Sequence, residues 1–124
     1  MNFLKIRKSG LFYETFDDDA KILHYLFGYK IISGRCAFPT NAVTKVVNTL
    51  EDKKISYEIC GDISEKRDFK KKNTYGKILA AAENKLEIAT LANKLTLKLE
   101  SLSDEKLYNT LKKLSEFIDA EWRF

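Results

Sequence analysis

Helix breakers, metal ligands and long apolar runs are all scarce in this chain. Its 124 residues include one proline, five glycines, one histidine and two cysteines. A zinc centre draws on about four nitrogen or sulfur ligands at short, regular spacings. Cys36, Cys60 and His24 form no such pattern, so neither a metal nor any other cofactor is expected. No apolar run approaches the ~20 residues of a membrane span, and the segment from Met1 to Lys8 lacks the ~7–15-residue apolar stretch of a secretory signal. The sequence therefore predicts a cytoplasmic protein with no membrane partner and with both thiols reduced. No Gly-x-x-x-x-Gly-Lys-Ser/Thr loop is present to cradle a nucleotide phosphate. Acidic residues are scattered, and no Ser/His/Asp or Cys/His constellation can be assembled without inventing proximity. The chain is expected not to be an enzyme.

Aromatic residues, by contrast, are plentiful, with eight Phe and six Tyr. Large rings supply the apolar area that offsets chain entropy, so this is a folded chain of one domain, or one domain with an appendage. Charged residues make up 32% and the net charge is +4, with a sequence pI of about 9.0. Such an excess is compatible with a polyanionic partner, but its distribution matters more than its sum.

The first half reads as an α/β domain over residues 1–62, in the order β-α-β-β-α-β. Phe3 to Lys8 alternates apolar and charged residues, the period of a half-buried strand. Gly10 interrupts it as a bulge or close approach would, and Phe12 to Phe16 continues the strand. Asp17-Asp18-Asp19 begins a helix, with a carboxylate at the N-cap and the others favouring the positive end of the dipole. Ala20, Leu23, His24 and Phe27 form its apolar stripe, and Gly28 ends it. Tyr29–Ser33 and Arg35–Phe38 read as a hairpin turning at Ser33-Gly34, and Pro39 stops the second strand. Thr40 or Asn41 caps a helix to about Lys53, and Ile55 to Cys60 alternates again as a strand.

The second half changes character. Residues 63–74 are polar and basic and read as a linker. After Gly76 neither Gly nor Pro occurs, so residues 75–124 read as two amphipathic helices. Ser101 or Ser103 caps the second helix, which runs to about Trp122 with Leu107, Leu111, Leu114 and Phe117-Ile118 on one stripe. Two such helices joined by a short turn predict an antiparallel helical hairpin. The fold class expected is thus a small mixed β-sheet with flanking helices, followed by that hairpin.

Between Gly10 and Cys60 stands an ordered set of landmarks. Gly10-Leu11-Phe12-Tyr13-Glu14-Thr15-Phe16 is followed by Asp18-Asp19-Ala20-Lys21. Ala37-Phe38-Pro39-Thr40-Asn41-Ala42-Val43 and Tyr57-Glu58-Ile59-Cys60 come next. In order and approximate spacing, over residues 4–60, this set resembles the mismatch-recognition domain of the MutS family. The resemblance implies a stand-alone DNA-binding module without enzymatic activity. In that family the ring of a Phe-x-Glu triplet enters from the minor groove beside an unstable base pair, and the Glu carboxyl reaches the displaced base. Ring stacking then replaces the lost base stacking in a kinked duplex. Residue by residue, the resemblance assigns Phe12 to the wedge and Glu14 to the base-sensing carboxyl. This chain departs from the pattern at Leu11, where many members carry an acidic residue. It also lacks the helix before the first strand, and the family's ATPase, clamp and lever domains.

Each of these residues also has an ordinary structural reading. Alternating Phe12 and Phe16 fit packed strand positions, and Glu14 fits a solvated carboxylate. Tyr13 and Tyr57 are expected to pack, and His24 to be a satisfied, partly buried histidine. Lys66, Arg67, Lys70, Lys71 and Lys72 are candidates for phosphate contacts, extended by Arg7, Lys8 and Arg35; the 66–72 cluster reads equally as a solvated linker. The helical hairpin carries an alternative from a different class, a protein-interaction or regulatory module of a DNA-processing or mobile-element system. There it would serve a protein partner or self-associate as a homodimer, with Trp122 and Phe124 either docked on the domain or in that interface.

Overall fold

The computed structural model describes residues 2–62 and 64–121. The chain divides into two compact units, residues 1–86 and 87–124. The first holds strands β1 (Leu4–Ser9), β2 (Phe12–Phe16), β3 (Arg35–Pro39), β4 (Tyr57–Cys60) and β5 (Glu65–Arg67). Among them lie helices α1 (Asp17–Phe27) and α2 (Val43–Lys53), and the start of α3 (Tyr75–Glu100). The second unit holds the rest of α3 and helix α4 (Asp104–Glu121). The expected class therefore stands: a mixed α/β sheet followed by two consecutive helices. No helix among the described residues is long and apolar enough to cross a membrane.

The five strands form one sheet in the order β3-β2-β1-β4-β5. All neighbours are antiparallel except β1 and β4, which run parallel with Leu4 opposite Tyr57 and Ile6 opposite Ile59. Alternation places Leu4, Ile6, Tyr13, Cys36, Phe38, Tyr57 and Ile59 on one face. There they share a buried core with Ala20, Ile22 and Leu23 of α1, Val46 and Leu50 of α2, and Tyr75 of α3. Four rings stack through this core in series. Phe27, Tyr29, Phe38 and Tyr13 follow one another at centroid distances of 5.4, 5.8 and 5.8 Å. Tyr13 and Tyr57 are packing residues, as expected, and His24 is half-buried with Nδ1 donating to the Tyr29 carbonyl at 2.8 Å. Both cysteines are free. Cys36 is buried, and its thiol is pushed up by burial; Cys60 is exposed.

The element order differs from the sequence reading in three places. Where alternation through Gly10 reads as one strand, the chain reverses. Ser9 pairs with Phe12 across a two-residue Gly10-Leu11 turn, and Gly10 takes the positive φ of 63° that the first position of such a turn demands. Where Tyr29–Ser33 reads as a strand, only an isolated bridge forms between Ile32 and Arg35. The hairpin partner of β3 is β2, and Tyr29 serves the aromatic stack instead. Where residues 63–74 read as a linker, β5 pairs with β4, and Lys70–Lys72 form a 3₁₀ turn. That turn is tied down on both sides. The Phe69 amide donates to Ser56 Oγ at 2.9 Å, and Asn73 Oδ1 accepts from the Ser56 and Tyr75 amides at 3.0 and 3.1 Å.

The acidic run does begin α1, but by another arrangement. Phe16 is the N-cap with no side-chain capping bond, and Asp17 adopts a φ of 52° while its amide donates to the Gly34 carbonyl. Asp19 turns back instead, accepting from the Lys5 amide at 3.1 Å and the Tyr75 hydroxyl at 2.6 Å. In the second unit Ser103, one of two expected caps, precedes α4 and accepts from the Lys106 amide. The roles considered for Trp122 and Phe124 lie outside the described residues.

Candidate functional site

The other face of the sheet keeps its side chains exposed or half-exposed, with Glu14 the exception. By alternation it carries Lys5 and Arg7 from β1, Phe12, Glu14 and Phe16 from β2, and Arg35 from β3. Glu58 and Cys60 from β4 and Lys66 from β5 complete it. Of the residues assigned by sequence, Phe12, Glu14, Arg7, Arg35 and Lys66 thus meet on one surface. An open depression of about 630 Å³ runs along it, with Lys5, Arg7, Glu14, Phe16, Glu58 and Cys60 in its lining and the Asp17–Asp19 run at one end.

Phe12 sits at the hairpin end of β2 and is 46% exposed, next to the almost fully exposed Leu11 of the turn. Two residues further on, Glu14 behaves differently from both of its expected roles. It is only 7% exposed, because two arginines from flanking strands close over it. Arg35 Nε lies 2.5 Å from Oε2, and Arg7 Nη2 lies 3.3 Å from Oε1. The hydrogen bond from Arg35, with a smaller one from Arg7, holds this carboxyl below its ordinary range despite burial. Glu14 is therefore an anion whose oxygens are already engaged, neither a free strand carboxylate nor a group reaching outward. Two cations against one anion leave the cluster with one net positive charge. Arg7 also lies over the Phe16 ring at 5.6 Å, a cation–π contact that spreads its guanidinium along the face.

At the opposite end, Asp19 is committed to structure. It is held by the Lys5 amide and the Tyr75 hydroxyl; burial raises its pKa, and burial of the Tyr75 phenol, together with its bond to Asp19, raises that group's as well. Among the described residues, no group of three or more His, Cys, Asp or Glu could hold a metal ion.

The remaining basic candidates do not join the surface around Phe12. Lys8 points to the helical side and is paired with Asp62 at 2.7–2.8 Å. Arg67 faces the same side, 3.6 Å from Glu51 and stacked over Phe69 at 5.0 Å. Lys70, Lys71 and Lys72 stand beside Ser56 and Asn2, where β4 and β1 begin, whereas Phe12 pairs at the end of β1. A six-residue strand separates the two places by roughly 20 Å at ~3.3 Å per residue. Lys66 does lie on the open face, but at its β5 edge, level with Lys5 at the start of β1, with its ammonium 4.7 Å from the centre of the Phe3 ring.

The sequence reading takes Phe16 as a packed strand position and does not single out Lys5, yet both stand on the open face. The signal for Phe16 was its own alternation, since positions 12, 14 and 16 of one strand must share a face. Lys5 joins Arg7 on that face through the pairing of β1 with β2, which depends on the reversal of the chain at Gly10. The chain matches no known protein family, no curated protein and no solved structure.

Proposed function

We propose that this protein is a non-enzymatic DNA-binding module of the MutS mismatch-recognition type, acting through the open sheet face. One observation carries the reading: a half-exposed Phe12 ring at the hairpin end, on the same surface as the Arg7 and Arg35 guanidinium groups. A base–aromatic stack contributes ~1–3 kcal/mol and needs a base already loosened from its neighbours, which an unstable pair provides. Arg7 and Arg35 supply the phosphate contacts, and Lys5 and Lys66 widen the positive surface. Glu14 acts as a positioning residue. Its carboxylate fixes both guanidinium groups on that face, with Arg7 over the Phe16 ring, and, being ionised, has no proton to offer a base. A single module with so few contacts binds weakly, and it does so in the cytoplasm, where free thiols persist. The MutS-like order of landmarks over residues 4–60 supports the same reading.

A titration of labelled duplexes at low salt tests it, with one duplex matched and one carrying a single mismatched pair. The mismatched duplex binds more tightly, and Phe12→Ala reduces its affinity to the matched level while leaving thermal unfolding unchanged. Equal affinity for both duplexes, or binding indifferent to Phe12→Ala, overturns the proposal.

A further inference from the structure

The second unit carries an apolar stripe that two helices cannot bury by themselves. In α4 the stripe is Leu107, Leu111, Leu114 and Ile118, at spacings of four, three and four residues. In α3 it is Ile88, Leu91, Leu95 and Leu99, continued by Leu102 in the turn. These are the spacings of a helix-packing seam. Leu99, Leu102 and Leu107, near the turn, are half-buried. Away from the turn each stripe residue stays open, from 38% at Leu114 to 58% at Ile88. A seam between two helices covers one side of each side chain, and covering the other side takes a second layer of helices.

We infer that residues 87–121 pair with the same segment of a second chain, closing a four-helix bundle around these stripes. Area favours this occupant. Six stripe side chains about half exposed, with Phe117 beside them, present on the order of 600 Å², near the ~800 Å² per partner of a standard interface. That area lies at the upper end of the roughly 300–600 Å² that a soluble monomer leaves as its largest patch. Charge favours it as well. Residues 87–121 hold five lysines and seven acidic residues, interspersed, so a copy of this segment meets neither a strongly like-charged surface nor an unmatched one. Residues 1–86, with sixteen Lys and Arg against eleven Asp and Glu, hold the positive excess instead. A two-fold pairing is self-complementary, because every stripe residue meets the equivalent stripe of its partner.

Sedimentation equilibrium of the full chain between roughly 1 and 100 µM, a range spanning weak and firm association, tests the inference. The wild type sediments as a dimer at the upper concentrations. Leu111→Glu with Leu114→Glu makes it a monomer, and Leu97→Glu, on the opposite side of α3 and 67% exposed, leaves the dimer intact. A wild-type monomer at every concentration, or a stripe variant that still dimerises, overturns the inference. If the stripe variant also loses helix, the wild-type helical signal decides: it rises with concentration when pairing and hairpin folding are coupled, and concentration-independent helix in a monomer refutes the pairing.

Discussion

Glu14 and Thr15 are neighbours on one strand, and each violates a burial rule in its own way. Glu14 is covered by Arg35 and Arg7, which lower its pKa, so the unfolded chain binds a proton there more readily than the folded one. Its stabilising contribution is complete above the unfolded value, near the ordinary 4.5. It disappears as pH falls through the lower folded value. The stability gap between wild type and Glu14→Gln, measured by urea unfolding, should hold from neutrality to about pH 5 and shrink below it. A gap that persists into strong acid contradicts the ion cluster. Thr15 is fully buried, and its Oγ1 has no hydrogen-bond partner among the described residues. Thr15→Val keeps the shape and removes the unsatisfied hydroxyl, so it should stabilise the fold by ~1 kcal/mol in the same assay. The segment from Gly10 to Phe16 gave a legible address for Phe12 and Glu14. Nothing local announced Arg35 as the partner of Glu14, because the two lie 21 residues apart and meet only when β3 docks on β2.

At the scale of elements, periodicity is legible in the sequence where one element has one role. The α1 stripe and the alternation of β1, β2 and β4 all follow from which side chains face the core. It is not legible where a short polar or aromatic stretch serves tertiary structure. Tyr29 to Ser33 has strand composition, yet its ring is needed between Phe27 and Phe38, and β3 already has β2 as its neighbour. Glu65 to Arg67 is exposed throughout, and only pairing with β4 makes it a strand. Gly61 follows β4 for a reason invisible in sequence. A Cβ there would lie 2.7 Å from Lys8 Cβ and 2.9 Å from the Tyr13 ring. Overpacking of this kind costs ~1–3 kcal/mol, so Gly61→Ala should lower stability by that amount on chemical denaturation; an unchanged midpoint would show that the loop moves aside freely.

The whole molecule divides its properties between two units: a positive α/β unit with an open face, and a charge-balanced helical pair with an exposed seam. Binding by the first unit should weaken with salt in proportion to the phosphates neutralised. Two to four contacts from Arg7, Arg35, Lys5 and Lys66 give a log–log slope of roughly −2 to −4 on duplex DNA. Arg7→Ala should flatten that slope by about one, and so should Arg35→Ala. An unaltered slope in both variants would place the phosphate contacts elsewhere. The most direct test of the account is to follow backbone amide and side-chain NMR shifts of the full chain during titration with a short mismatched duplex. Shifts concentrated on Arg7, Phe12, Phe16 and Arg35 are the predicted result. Shifts confined to the Lys70–Lys72 turn or to the helical pair, or none at low salt, would contradict an interface on the open sheet face.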